Sequence, residues 1–311
     1  MKTKLFISLF LFCSFTIMAQ DAINLKLNVK AKTKYTVKST SEQSIVTSFN
    51  GMQQTSGVKN VSFMSLTPLA LGQKSISCEI AFDSIFTTSN MSGMKMDINS
   101  SKGGDINSSD ISQIMSAIMA RLCKNKLNAI LSYDGKVIAI NNLNAFKDSV
   151  TKGVDSLKGP MTPMISMQVK MLLSESAIKG MIEANTAYFP TKPVKIGDSW
   201  NTSYTQSSGG IGFSIVTEYK LNSLKDKVAE LSGNATLEPS STAPMEVNGA
   251  KIGYDVRGLS KSTLFIDIQT GWLQKSSVKS HMKGNMNVSM NGNDMTIPVE
   301  IDNTTESIAI Q

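Results

Sequence analysis

Long alternating strands joined by tight turns constrain this chain more than any other feature. Tyr35 to Phe49 reads as one strand, Asn50-Gly51 supplies the positive-φ residues of a hairpin, and Met52 to Leu66 returns as a second strand. A third runs from Lys74 to about Thr88, with Ile76, Cys78, Ile80 and Phe82 on one face. About fifteen residues at about 3.3 Å each reach about 50 Å, and strands of that length must coil because sheets twist. Upstream, Ile23 to Val29 alternates apolar and polar residues and is expected to add a further strand.

The period changes in the middle of the chain. Ser109 is placed as the N-cap of a helix whose apolar side is Ile111, Ile114, Met115, Ile118, Met119 and Leu122. A short hairpin follows, Leu127 to Tyr133 and Val137 to Ile140 about Asp134-Gly135. Helical text resumes from Leu143 to Leu157, and again from about Pro163 to Ala187 before Phe189-Pro190. Strands then return: Asp198 to Gln206, Ile211 to Leu221, Lys227 to Leu237, Leu259 to Ile268, Trp272 to Met290 and Met295 to Ile310. The order strands, helices, strands predicts an α+β fold with a long, strongly curved antiparallel sheet around a helical block at about 110–188. One domain over 20–311 is expected, because either strand block alone would leave an apolar face uncovered. The Ser100 to Ser109 and Pro239 to Gly249 stretches are assigned to surface loops.

The first residues carry an export signature. Lys2 and Lys4 precede the apolar run Leu5 to Phe12, which is too short for a spanning helix, and Ala19 offers a small residue for cleavage. Residues 1–19 are therefore assigned to a signal peptide, leaving about 290 residues that are periplasmic or secreted. Phe12 before Cys13 argues against lipid attachment there, and no later segment is long and apolar enough to cross a membrane. Removing Lys2 and Lys4 from 31 basic residues leaves 29 against 24 acidic ones, a net charge of +5. That excess is spread thinly, without the dense basic stripe and interleaved aromatics of a nucleic-acid site. Cys78 and Cys123 remain after processing, and an oxidising compartment leaves both a disulfide and two buried thiols open.

Histidine content excludes whole classes of chemistry. His281 stands alone, so a three-histidine zinc site and a two-histidine facial triad are impossible. Alternation in Trp272 to Met290 puts Val278, Met282, Met286, Val288 and Met290 on one face. Lys279, His281 and Lys283 fall on the other, wet face. Gly197-Asp198-Ser199-Trp200 resembles the opening of an esterase motif, but the aspartate expected three positions before the histidine is replaced by Val278. A turn feeding a strand that Trp200 anchors is the better reading. Gly209-Gly210-Ile211-Gly212 lacks a following lysine and opens a strand, so it is no phosphate cradle. No acid-base pair stands out, and no catalytic activity is expected; the rival is a hydrolase using Ser199 or His281.

Methionine is unusually abundant, at 19 residues. Met161, Met164, Met167 and Met171 form a stripe at helical spacing, Met282, Met286 and Met290 line one strand face, and Met115 and Met119 form a helical pair. Plain core packing accounts for such residues, and so does an adaptable apolar cavity for a lipid-like ligand. Cu(I) capture by thioethers is a third reading, which the lack of an accompanying histidine argues against, so neither metal nor cofactor is expected.

Several short motifs occur in a characteristic order: Met18-Ala19-Gln20; Tyr133-Asp134-Gly135-Lys136-Val137; Phe189-Pro190 through Pro193 to Gly197-Asp198-Ser199-Trp200; and Asp267-Ile268-Gln269-Thr270-Gly271-Trp272. Together they resemble an exported bacterial family known only as a domain of unknown function. At fold level, long curved strands around a helical block are similar to the periplasmic lipoprotein carriers, which implies an unclosed barrel over an apolar cavity. The expectation is a soluble, non-enzymatic protein binding a hydrophobic or lipid-like ligand through Met161, Met164, Met167, Met171, Met282, Met286 and Met290. The alternative is a structural component that meets another envelope protein.

Overall fold

A computed structural model describes residues 21–49, 51–91, 94–159, 162–208, 211–241, 244–247, 249–290 and 292–310. The expected signal peptide and Met161 lie outside the described residues. The N-terminal strands are β1 (Tyr35–Phe49), β2 (Met52–Leu71), β3 (Ser75–Met91) and β4 (Met94–Asn99). The middle contains α1 (Ile111–Lys124), β5 (Lys126–Ser132), β6 (Val137–Ile140), α2 (Leu143–Thr151), α3 (Thr162–Leu172) and α4 (Glu175–Glu183). The remainder is β7 (Ser199–Ser208), β8 (Ile211–Lys225), β9 (Val228–Pro239), β10 (Met245–Val247), β11 (Ala250–Asp267), β12 (Leu273–Met290) and β13 (Asn293–Ile310).

Among the described residues, thirteen strands join one antiparallel sheet in the order β6-β5-β3-β2-β1-β13-β12-β11-β9-β8-β7, with β4 on β3 and β10 on β11. First and last strand blocks meet where β1 pairs β13, from Thr36 opposite Ile310 to Thr47 opposite Val299. The sheet does not close, since β6 and β7 are its two ends and do not pair. This is the unclosed, strongly curved architecture expected from the strand lengths. Part of the curvature has a local cause in Gly258 and Gly284, which fall on the inner face of adjacent strands. A Cβ at Gly258 would lie 2.3 Å from the His281 carbonyl oxygen, and one at Gly284 1.9 Å from that of Asp255. Only glycine permits backbones to approach so closely, and such positions bend a sheet.

Two helices protect sheet edges. The α1 helix packs on β3 and β4, where Ser112 and Ser116 hydroxyls accept the Asp97 and Asn99 N–H groups at 3.3 and 3.0 Å. Ile114, Ile118 and Leu122 of the same helix enter the main core. Its N-cap is Asp110, one residue beyond the expected Ser109; the Asp110 carboxylate accepts the Ser112 N–H at 2.8 Å. The long helix expected after Pro163 is two helices, because Ser174 caps a fresh start by accepting the Ala177 N–H. Leu143 to Leu157 is likewise shorter than expected: α2 stops at Thr151 and a single 3-10 turn, Val154–Ser156, follows.

Ile23 to Val29 corrects another expectation. Leu25, Leu27 and Val29 are buried, as the alternation implied, but the segment is no strand of the sheet. One bridge joins Ile23 to Val194, and Leu27 and Asn28 donate to the carbonyls of Tyr133 and Thr270. The supposed loops at Ser100 to Ser109 and Pro239 to Gly249 are flanked by strands unseen in the sequence, β4 and the first half of β11, while β10 lies within the second.

Candidate functional site

Apolar side chains on the inner sheet face form two clusters. The larger joins the helical block to one end of the strands through residues such as Leu66, Ile80, Ile118, Leu131, Ile178 and Leu231. The smaller lies toward the opposite end on β8 to β13 and includes Phe213, Ile215, Val256, Met282, Val299 and Ile301. Between them the same face is polar. Ser41 Oγ donates to Asn303 Oδ1 at 2.7 Å, Ser39 and Ser307 hydroxyls are 2.8 Å apart, and Asn60 Nδ2 donates to Thr87 Oγ1 at 2.9 Å. These partners sit opposite or diagonal across β3, β2, β1 and β13, as cross-strand pairs do. The belt escaped the sequence reading. Its signal is a break in apolar alternation: Val37 and Ile45 bracket Ser39, Ser41 and Gln43 on β1, and Ile301 and Ala309 bracket Asn303, Thr305 and Ser307 on β13. Only strand register shows that these breaks coincide.

The α3 helix packs on α4 and divides its apolar residues by shape. Ile165 and Val169 are buried in the main core. Met164, Met167 and Met171 remain half-buried. Met167 and Met171 face Gly212 of β8 across an open groove of about 580 Å³, whose other walls are Pro163, Ser166, Lys170 and Ser174. Branched side chains thus fill the core and flexible thioethers line the groove, the division expected where an apolar wall must adapt. The β12 methionines do not share that groove. Met282 is buried against Gly258, Met286 packs half-buried on the smaller cluster, and Met290 is 51% exposed at the strand end. The stripe therefore runs from core to rim.

At the gap between the sheet ends, α4 lies against β7, and a Cβ on Gly180 would fall 2.1 Å from the Thr205 carbonyl oxygen. Glu183, on the same helix, accepts the Val137 N–H of β6 at 2.8 Å. One helix thereby touches both sheet ends. Burial pushes the Glu183 carboxyl up, an effect opposed by the Val137 N–H and by Lys136. A smaller groove of about 350 Å³ opens here between Lys136, Lys179, Tyr204 and Thr205. Burial also raises the Tyr204 phenol and lifts that of Tyr219 to about 12.

Residues considered for catalysis are dispersed. His281 lies on the outer face, with Nδ1 2.9 Å from Asp302 and Nε2 3.8 Å from Glu300. These three exposed groups are close enough to share a cation, yet all belong to one solvated sheet face. Ser199 is exposed at the start of β7, after a turn in which the Asp198 carboxylate accepts the Lys195 N–H at 2.8 Å. Trp200 donates from Nε1 to the Tyr188 carbonyl at 3.1 Å, so it anchors the strand as expected. Cys78 and Cys123 are free. Burial raises the Cys78 thiol to about 12 and raises Cys123 as well, which suppresses thiolate chemistry.

Three of the ordered motifs, Tyr133 to Val137, Phe189 to Trp200 and Asp267 to Trp272, converge on one end of the sheet, while Met18-Ala19-Gln20 lies outside the described residues. The Tyr133 carbonyl receives Leu27, Thr186 donates to the Gly135 carbonyl at 2.6 Å, and Tyr188 donates to that of Gly271 at 3.2 Å. Their shared role is to fasten the N-terminal segment and the helices to the strands.

A sheet held by such fastenings, with an open groove at its side, defines a helix-capped, unclosed antiparallel β fold. The chain belongs to a family of unknown function (DUF6263), which matches residues 73–273. No curated protein matches it. Among solved structures, lipovitellin, described for its lipid–protein interactions, is similar at 6% identity over 91% of this chain, with a TM-score of 0.45. This chain spans 26% of lipovitellin's length. The outer membrane protein OprG from Pseudomonas aeruginosa is similar at 7% identity over 92% of this chain and 99% of its own, with a TM-score of 0.25. A putative outer membrane lipoprotein-sorting protein domain from Vibrio parahaemolyticus is similar at 9% identity over 86% of this chain and 83% of its own, with a TM-score of 0.14. Among the described residues, no helix is long and apolar enough to cross a membrane.

Proposed function

We propose that this is an exported, non-catalytic protein that binds an amphipathic ligand with an apolar chain in the groove between α3 and β8. The observation that carries this reading is the placement of Met167 and Met171 on the groove wall, outside the core that Ile165 and Val169 enter. A volume of about 580 Å³ falls within the range of small-molecule sites. Thioether walls accept chains of varied shape, while Lys170, Ser166 and Ser174 offer a cation and two hydroxyls to a polar or anionic head. The non-catalytic part is supported by the separation of Ser199 from His281 and its carboxylate partners, and by thiols whose burial disfavours ionisation.

Titration with a fluorescent fatty acid tests the reading. Saturable binding is expected, with at least a tenfold loss in Met167→Asp/Met171→Asp and little change in Met282→Leu, whose side chain is buried elsewhere. An organic extract of protein purified from its native envelope should also contain a stoichiometric lipid. An empty extract together with absent probe binding sinks the proposal and leaves the envelope-interaction reading in its place.

A further inference from the structure

Strand register turns part of the polar belt into a continuous row. Gln43 of β1 lies opposite Asn303 of β13, Asn303 opposite Ser280 of β12, and Ser280 opposite Ser260 of β11. On one side the row continues through Val58 to Ser89 of β3. On the other it continues through Ala235 and Thr217 to Thr202 of β7. A second polar row, with Asn60, Ser41, Thr305 and Ser262, runs beside it toward the larger apolar cluster. None of these side chains is charged. Composition does not explain that, because the outward-facing residues of the same strands include Glu42, Lys59, Lys261, Lys279 and Asp302.

The middle of the row is open and under-used. Gln43, Asn303, Ser280 and Ser260 are half-buried, so the concave face is accessible there. Asn303 is engaged by its neighbours, accepting from Ser41 and donating to Thr305 Oγ1 at 3.2 Å. Among the described residues, the Gln43, Ser280 and Ser260 side chains bond to no other protein group. At the two ends of the row, Ser89 is 5% and Thr202 7% exposed, and among the described residues neither hydroxyl has a partner. Alternation turns both toward the inner face. Buried hydroxyls in folded proteins are nearly always bonded, so the row carries hydrogen-bonding capacity that the protein itself does not fill. Along its other flank, Ile45, Ile301 and Met282 of the smaller cluster form an apolar wall.

We infer that this row binds a neutral sugar on the concave face of the sheet. A charged ligand would lose its hydration there without meeting a countercharge. Serine hydroxyls and the Gln43 amide each donate and accept, as sugar hydroxyls do, so the two sets can pair in either sense. The wall of Ile45, Ile301 and Met282 suits the C–H face of a sugar ring lying against the row. Four strands spaced about 4.8 Å apart present their polar groups over about 14 Å, which gives room for more than one ring. A free oligosaccharide and the head of a neutral glycolipid share this chemistry. The inference goes beyond ligand binding in the α3 groove and rests on different residues.

The test is calorimetric titration of the full mature chain with maltotetraose and, separately, with dodecyl maltoside below its micelle concentration. Saturable binding is expected, equal at low and high salt because no charge takes part. Gln43→Leu/Ser280→Val should lose at least tenfold in affinity, since two hydrogen-bonding groups are removed, while Ser44→Val, on the exposed outer face, should lose nothing. Should the double variant fail to fold, Ser280→Ala and Ser260→Ala remove one hydroxyl each and should lose about threefold or more. Binding of both probes identifies a free oligosaccharide as sufficient; binding of dodecyl maltoside alone, lost in the Gln43 and Ser280 variants, identifies a glycolipid head. Absence of binding by the wild type to either probe, unchanged affinity in the row variants, or binding that salt abolishes would each overturn the inference. Binding of dodecyl maltoside alone that Met167→Asp/Met171→Asp removes would assign it to the α3 groove and also overturn the inference. Fatty-acid binding reports on the α3 groove, so either proposal can fail while the other stands.

Discussion

Gly180→Ala is a substitution for which local propensity and tertiary packing predict opposite signs. Glycine inside α4 costs about 1 kcal/mol relative to alanine, so helix propensity alone predicts stabilisation of that size. A Cβ at this position, however, would lie 2.1 Å from the Thr205 carbonyl oxygen and 3.0 Å from the Gln206 Cα. Both are backbone atoms of β7 and cannot swing aside. The helix must then withdraw from the strand, and overpacking of this kind costs about 1–3 kcal/mol. At the upper end of that range the net effect is about 2 kcal/mol of destabilisation. For a chain of this length, about 2.1 cal/mol/K per residue of unfolding entropy converts that to a Tm lower by about 3 °C. Urea unfolding measures the change directly, as a lower midpoint with an unchanged slope. Hydrogen exchange should place it locally, with faster exchange in α4 and on the edge of β7. Equal or greater stability in the variant would refute the claim that close contact between α4 and β7 holds the gap between the sheet ends.

Other perturbations test neighbouring parts of the argument. Because burial raises the folded-state pKa of Glu183 above its ordinary value, the folded protein binds more protons than the unfolded chain in the window between the two. Stability from this group therefore falls as pH rises through that window, so Glu183→Gln should gain on the wild type in urea midpoint between acidic and neutral pH. A constant difference across that range would show that Glu183 does not titrate as its burial implies. Cys78 and Cys123 should resist iodoacetamide in the native state and both be labelled after unfolding without reductant, as intact-mass analysis would show; a protected pair would mean a disulfide. His281→Ala should change stability by less than about 1 kcal/mol, since its carboxylate partners are exposed with it; a larger drop in the urea midpoint would show that the cluster bears on folding.

Periodicity by itself determined the fold class here. Strand text on both sides of helical text, with tight turns between strands too long to stay flat, required a curved antiparallel sheet with a helical insert. A lone histidine on a wet strand face likewise placed His281 away from the core, because alternation along a strand is a local property. Burial of Leu25, Leu27 and Val29 was also legible, though their place outside the sheet was not. Pairing depends on which strand edge is vacant, and that is decided by distant residues. The methionines show the same division. Their spacing marked one face of α3 and one of β12, but only the packed structure sent Met167 and Met171 to a groove, Met282 to the core and Met290 to the rim. A helix can expose either of two apolar stripes, and here Ile165 and Val169 occupied the core. The polar belt lay further from view, because it is assembled from strands far apart in sequence. Register between β1 and β13 aligns Ser39 with Ser307 and Ser41 with Thr305, and no local pattern in either strand contains that register.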